Sequence, residues 1–189
     1  VPEFRLVART GDITVNARIG YAVDNTSSDR NPWVRMEAAA NININAGVYT
    51  LDRVSLTAGQ GTGTGTITVA TTGFIYTTDT TASNKRIELA AGLTSGNIIL
   101  NGASAEASID GAQVTGTGTY TQTETDNLQL DQVTTTSGEI TITTTGAGTI
   151  TIDAINSTSG NVTLTADGAI ADFTPAADTQ SNITTTGLL

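Results

Sequence analysis

Carboxylates beside turns are the residues of this 189-residue chain whose type and spacing could hold a cation. Ca²⁺ takes about six to eight oxygen ligands, and Asp side chains near turns commonly supply them. Asp24 and Asp29 share one turn-rich segment, and Asp167 and Asp172 lie close together near the end of the chain. The sequence therefore predicts weak calcium sites at these two places. The alternative is turn capping, because Asp often hydrogen-bonds its own turn.

Aromatic side chains are the second kind of candidate, because sugars stack on exposed rings. The chain has only one Trp, four Tyr and three Phe. Trp33 follows the turn-rich loop of residues 24–32, and we predict it as the position at which a glycan ligand would bind. Packing in the core or against a loop is the alternative for every ring.

The repertoire for catalysis is narrow, because the chain contains neither His nor Cys. This composition excludes a Ser-His-Asp triad, thiol catalysis, disulfides and thiolate metal sites. Acid–base chemistry would fall to carboxylates, Lys or Tyr with shifted pKa values. Asp126 and Asp131 could pair, but no basic residue follows Arg86. We therefore expect a protein that is not an enzyme and that has no cofactor, unless calcium occupies the Asp sites.

The elements that would position these residues are very short strands. A corner of small residues ending in Gly, one variable residue and then an aliphatic–polar–aliphatic triplet recur three times in residues 136–170. Alternation places both aliphatic side chains of a triplet on one face of a strand. The three inward pairs are Ile140 and Ile142, Ile150 and Ile152, and Val162 and Leu164; similar pairs lie at positions 13 and 15, 42 and 44, 54 and 56, 67 and 69, 87 and 89, 98 and 100, and 128 and 130.

Two all-β architectures fit strands of this length: a parallel β-helix, or β-solenoid, and a β-sandwich. The near-identity of the repeated phrases favours the solenoid, in which each unit stacks on a similar one. Dipeptides typical of hairpin turns are too scarce to connect every strand pair. We expect two or three units per coil. The β-sandwich remains the alternative.

The repetition divides the chain into two parts. Residues 1–40 are the least regular and are predicted to form irregular N-terminal coils or a cap, with Trp33, Val34 and Met36 covering the core. Residues 41–189 are predicted to form the repetitive solenoid, as a section of a longer chain. Threonine, present 39 times, suits strands whose outer face meets water.

Charge is distributed unevenly. All eight basic residues and seven acidic ones lie at or before position 86, which gives +1, whereas the remaining eleven acidic residues give −11. Such a surface repels nucleic acid and anionic membranes. No apolar run is long enough to span a bilayer. We therefore expect neither nucleic-acid binding nor membrane insertion.

Four phrases carry a family resemblance: residues 10–17, 94–102, 136–143 and 158–170. They resemble the shaft repeats of filamentous-haemagglutinin-like adhesins and related giant bacterial surface proteins. The resemblance implies a right-handed parallel β-helix, an extracellular or cell-surface location in a bacterium, and a structural and adhesive role. The family's Asn-Pro-Asn-Gly-like secretion signature is not matched, since Asn31-Pro32 is followed by Trp33.

These observations predict a structural section of a bacterial surface protein or filament, such as an adhesin shaft or spacer. Its expected partners are neighbouring repeats of the same or identical chains, and host or matrix glycans. One alternative is a carbohydrate- or cation-binding β-module, which would bind its ligand at Trp33 or at the Asp clusters. Another is a self-assembling fibre subunit joined through its open ends.

Overall fold

The computed structural model describes residues 3–20, 33–50, 53–61, 63–77, 86–92, 95–101, 111–114, 117–173 and 181–189. Strands are the only regular secondary structure in these segments. Their bounds are β1 Glu3–Ala8, β2 Ile13–Val15, β3 Ile19–Gly20, β4 Trp33–Ala38, β5 Ile42–Ile44, β6 Gly47–Thr50, β7 Arg53–Ala58, β8 Ile67–Val69, β9 Phe74–Thr77, β10 Arg86–Ala91, β11 Ile98–Leu100, β12 Gly111–Val114, β13 Tyr120–Glu124, β14 Leu128–Thr135, β15 Ile140–Thr144, β16 Ile150–Ser157, β17 Val162–Ala166, β18 Ile170–Asp172 and β19 Ile183–Thr185. Within them no helix is long and apolar enough to cross a membrane.

The strands form three sheets. The first sheet has the order β1, β4, β7, β10, β12, β14, β16 and β18, with β19 also beside β16. The second contains β2, β5, β8, β11, β13, β15 and β17, and the third contains β3, β6 and β9. Every registered pair among the described strands is parallel. The chain therefore returns to the first and second sheets once per turn, and in the first three coils to the third sheet as well, as in a β-solenoid. The pairing is not that of an antiparallel sandwich.

The core consists of side chains stacked in columns along the direction of coil stacking. In the second sheet one column runs through seven coils and is buried throughout: Ile13, Ile42, Ile67, Ile98, Tyr120, Ile140 and Val162. In the first sheet Val34, Val54 and Ile87 stack in the same way. Burying each aliphatic side chain contributes about 1.5–3 kcal/mol. The predicted inward pairs are confirmed, except that Leu164 is only half-buried.

The described part of the first 40 residues joins the same stack. Leu6 of β1 pairs with Met36 of β4, which pairs with Leu56 of β7. Val34 and Met36 are fully buried core residues and do not cap an open end. Phe4, on the same strand as Leu6, is 37 % exposed. The predicted loop at residues 24–32 lies outside the described segments.

Glycines at the corner before the second sheet let successive coils approach closely. A Cβ on Gly138 would lie 1.5 Å from the carbonyl oxygen of Gly118, and one on Gly160 would lie 2.0 Å from that of Gly138. The hydroxyl of Thr135 closes this corner by donating to the Gly138 carbonyl oxygen at 2.8 Å. The small-residue corners noticed in the sequence therefore exclude side chains from the contact between coils.

Candidate functional site

Trp33, the predicted glycan-binding residue, begins β4 and is half-buried. The guanidinium carbon of Arg53, on the next strand of the first sheet, lies 4.6 Å from the centre of its ring. Arg53 also forms an ion pair with Glu88 on β10. Because a cation–π contact already covers part of the ring, the geometry favours a role for Trp33 in joining strands. Glycan binding at this position remains a prediction.

Beside Trp33, the outer surface of the first sheet carries an ion-pair cluster. Glu37 is almost fully buried between two arginines: Arg5 donates to it from Nε at 3.1 Å, and Arg35 pairs with its other oxygen. The hydrogen bond from Arg5 lowers the pKa of the Glu37 carboxyl below its usual value, against the opposing effect of burial, and the Arg35 contact lowers it further. This cluster connects β1 to β4.

Of the four predicted calcium ligands, the structure describes Asp167 and Asp172. Asp167 accepts a hydrogen bond from the Gly146 amide at 3.0 Å, and Asp172 accepts one from the Asn182 side chain at 2.9 Å. The Asp167 carboxylate therefore bonds the backbone of another coil, and the Asp172 carboxylate bonds a side chain ten positions away, so neither contact is the hydrogen bond to its own turn that the capping alternative describes. The described residues contain no group of three His, Cys, Asp or Glu side chains able to hold a metal ion. Asp24 and Asp29 lie outside the described segments, so calcium binding remains a prediction.

A polar chain inside the core was not anticipated from the sequence. Tyr120, Gln122 and Glu124 are fully buried on the inner face of β13. The Tyr120 hydroxyl donates to Gln122 Oε1 at 2.5 Å, and Gln122 Nε2 donates to Glu124 Oε1 at 3.3 Å. Burial, and secondarily the charge of Glu124, raise the pKa of Tyr120 well above its usual value, so the hydroxyl keeps its proton. The sequence did carry a signal for this burial. Tyr120 and Gln122 alternate along the strand at the positions that aliphatic residues fill in the neighbouring coils.

A second aromatic cluster lies on the third sheet. The rings of Tyr49 and Tyr76 stack with centroids 5.2 Å apart and planes 15° apart. The guanidinium carbon of Arg18 lies 5.3 Å from the Tyr49 ring centre and 5.9 Å from that of Phe74. A Cβ on Gly47 would collide with the Phe74 ring, so this glycine makes room for it. The rings pack against one another along the stack and hold the first three coils together.

A groove of about 480 Å³ runs along the corner between the first and second sheets. Four successive coils line it, with Ala40 and Asn41, Thr64 to Thr66, Ser95 to Asn97, and Thr117 and Gly118. None of these side chains is charged. We call the residue immediately before each second-sheet strand the ladder position. In the coils beyond the two ends of the groove this residue is acidic: Asp12 precedes β2 and Glu139 precedes β15. The groove is therefore a neutral, polar channel of limited length.

The ladder position at the edge of this groove holds the coils in register. Asn41 Oδ1 accepts the Thr66 amide at 2.9 Å, and Asn97 Oδ1 accepts the Thr119 amide at the same distance. Asn41 and Asn97 occupy the variable position of the repeated phrase, immediately before the aliphatic–polar–aliphatic triplet. Its side chain replaces a backbone carbonyl as hydrogen-bond acceptor for the next coil.

Comparison with protein-family models, curated proteins and solved structures gives no significant match. Function must therefore be inferred from the geometry. Most of the features above hold one coil to the next: glycine corners, amide ladders, ion pairs and stacked rings.

Proposed function

We propose that this chain is a structural section of an extracellular bacterial surface protein, a right-handed β-helix that serves as the shaft or spacer of an adhesin or filament. The observation that carries the proposal is the continuous parallel pairing in the first sheet. Each strand there pairs with the next one in sheet order, beginning with β1 and β4 and ending with β16 and β18. A parallel stack with a buried aliphatic interior is suited to act as a rigid spacer, because every coil is fixed to two others.

The dimensions support a spacer. Eight strands follow one another in the first sheet, and adjacent strands lie about 4.8 Å apart, so this section spans roughly 34 Å along the stack. Each coil adds backbone hydrogen bonds in at least two sheets over most of that length. Further coils of the same kind would extend the rod without requiring a new core, which is how repeat proteins reach long dimensions.

The surface supports exposure to solvent outside the cell. Along the strands of the second sheet, threonines alternate with core residues, so the threonines lie on the outer face. Thr121, Thr141 and Thr163 form one column there. Threonine suits such a half-exposed strand because its branched side chain favours β structure and its hydroxyl contacts water. The eleven unopposed acidic residues after position 86 keep neighbouring rods apart by repulsion.

Electron microscopy with gold-labelled antibodies tests this function. Antibodies raised against the purified chain should label the outside of intact producing cells, and purified chain should appear as short rods of uniform width. Antibody against a cytoplasmic protein of the same cells serves as the control. Label that appears only after the cells are permeabilised would contradict the surface location and with it the proposed role.

A further inference from the structure

The groove at the corner between the first and second sheets contains polar groups that the fold leaves available. Asn97 uses its Oδ1 to accept the Thr119 amide at 2.9 Å and the Thr119 hydroxyl at 3.1 Å. Its amide nitrogen makes no hydrogen bond to another described residue, whereas the corresponding nitrogen of Asn41 donates to Asp12 at 3.0 Å. Half-buried hydroxyls of Ser95 and Thr66 line the same groove. Donors and acceptors of three successive corners therefore face one concave space.

The size of the groove suits a ligand. Small-molecule sites commonly have volumes of about 300–1,000 Å³, and a few convergent polar groups fix the orientation of the bound molecule. The groove has about 480 Å³ and extends over four coils, which at about 4.8 Å per coil makes it roughly 14 Å long. A short run of linked units could lie along it, with equivalent polar groups offered once per coil.

The lining restricts the chemical class of that ligand. A charged ligand would find no opposite charge in the groove, and the acidic residues Asp12 and Glu139 beyond its ends would repel an anion. An apolar ligand would find only Ala40 as a hydrophobic side chain. A peptide strand that adds to a sheet needs an unpaired strand edge, and the strands beside the groove already pair on both sides in the second sheet.

We propose that this groove binds an uncharged glycan chain lying parallel to the direction of coil stacking. Sugar hydroxyls both donate and accept, so they can pair with the Asn97 amide and with the hydroxyls of Ser95 and Thr66. A pyranose unit in an extended chain has about the length of one coil step, so consecutive sugars meet equivalent groups. The shaft would thereby carry glycan contacts along its side in addition to acting as a spacer.

The test is titration calorimetry of the full 189-residue chain with neutral oligosaccharides of several linkages, with oligogalacturonate as the acidic comparison. Three variants remove one groove group each: Ser95→Ala, Thr66→Val and Asn97→Asp. The last keeps an oxygen for the ladder bond, replaces the amide nitrogen with a carboxylate oxygen and adds a negative charge, and the Asn127→Asp control adds the same charge outside the groove. Matched controls outside the groove are Asn127→Asp, whose Oδ1 holds an equivalent ladder bond at 2.9 Å, and Thr141→Val.

Saturable binding of at least one neutral oligosaccharide is expected, with affinity lowered roughly 2- to 12-fold by each groove variant and unchanged by the controls. Circular dichroism and thermal unfolding must show that all five variants keep the fold. The proposal is overturned if no neutral oligosaccharide binds at roughly millimolar concentration, if oligogalacturonate binds equally well, or if groove and control variants affect binding alike.

Discussion

Replacing Gly138 with alanine is expected to break the stacking of two coils. The added Cβ would lie 1.5 Å from the Gly118 carbonyl oxygen and 3.1 Å from the Thr119 amide nitrogen. Ordinary contact begins at 3.4 Å, so the corner must move by about 1.9 Å, a large fraction of the coil spacing of about 4.8 Å. Both atoms belong to the backbone, so no side-chain rotation can relieve the overlap.

The magnitude follows from two losses. Overpacking of a well-packed interior costs about 1–3 kcal/mol. Displacing the corner also weakens the hydrogen bonds that the Thr135 and Ser157 hydroxyls donate to the Gly138 carbonyl, at about 1 kcal/mol each. We therefore expect Gly138→Ala to lower the free energy of unfolding by roughly 3–5 kcal/mol.

Gly11→Ala is the matched control. Gly11 has a φ of +87° and nothing within 4 Å of its ideal Cβ, so alanine there costs only backbone strain of about 1–2 kcal/mol. Urea titrations followed by circular dichroism give the free energy of unfolding of both variants. If Gly138→Ala destabilises the chain no more than Gly11→Ala does, the close approach of glycine corners is not what holds the coils together.

Three further outcomes are expected. Tyr120→Phe removes the donor to the buried Gln122 oxygen and should lower the free energy of unfolding in urea by about 1–3 kcal/mol; an unchanged value would show that the internal polar chain adds no stability. Ile142→Asp places a carboxylate in the dry core and should abolish cooperative thermal unfolding; a retained sharp transition would contradict the buried column. Because the Arg5 hydrogen bond lowers the folded-state pKa of Glu37, its contribution to stability is complete above the unfolded-state pKa and is lost as pH falls through the folded-state value. The protection factors of the β1 and β4 amides, which compare the observed exchange rate with the intrinsic rate at each pH, should therefore fall as the pH is lowered, and Glu37→Gln should reduce this fall; an identical acid response in that variant would exclude the cluster as its cause.

Much of the fold could be predicted because alternation in a strand has a fixed period. Pairs such as Ile42 and Ile44 had to share a face, and both are fully buried. The expectation of two or three short units per coil is also confirmed. Ile140 stacks on Val162, 22 positions later, while the intervening pair at Ile150 belongs to the other large sheet. Successive copies of the phrase therefore lie in alternate sheets, and each copy stacks on the second copy after it rather than on the next one.

The candidate sites were harder to predict because they depend on which coils become neighbours. Trp33 contacts Arg53 only because β4 and β7 are adjacent in the first sheet. The groove depends on small corner residues from four coils, and their sequence separations vary too much for spacing alone to align them. The buried Gln122 lies in register between Leu100 and Ile142, but its polarity obscured the repeat.

The central claim is that each coil stacks on the one following it. Disulfide trapping tests this claim most directly, because the chain has no cysteine of its own. Thr141 and Thr163 are partners on adjacent parallel strands, whereas Thr151 lies nearer in sequence but in the other large sheet. Neighbouring strands lie about 4.8 Å apart, within reach of a disulfide. The account predicts that Thr141→Cys with Thr163→Cys cross-links rapidly on mild oxidation and that Thr141→Cys with Thr151→Cys does not. The opposite pattern would mean that consecutive strands pair as hairpins, and it would contradict the solenoid and the shaft built from it.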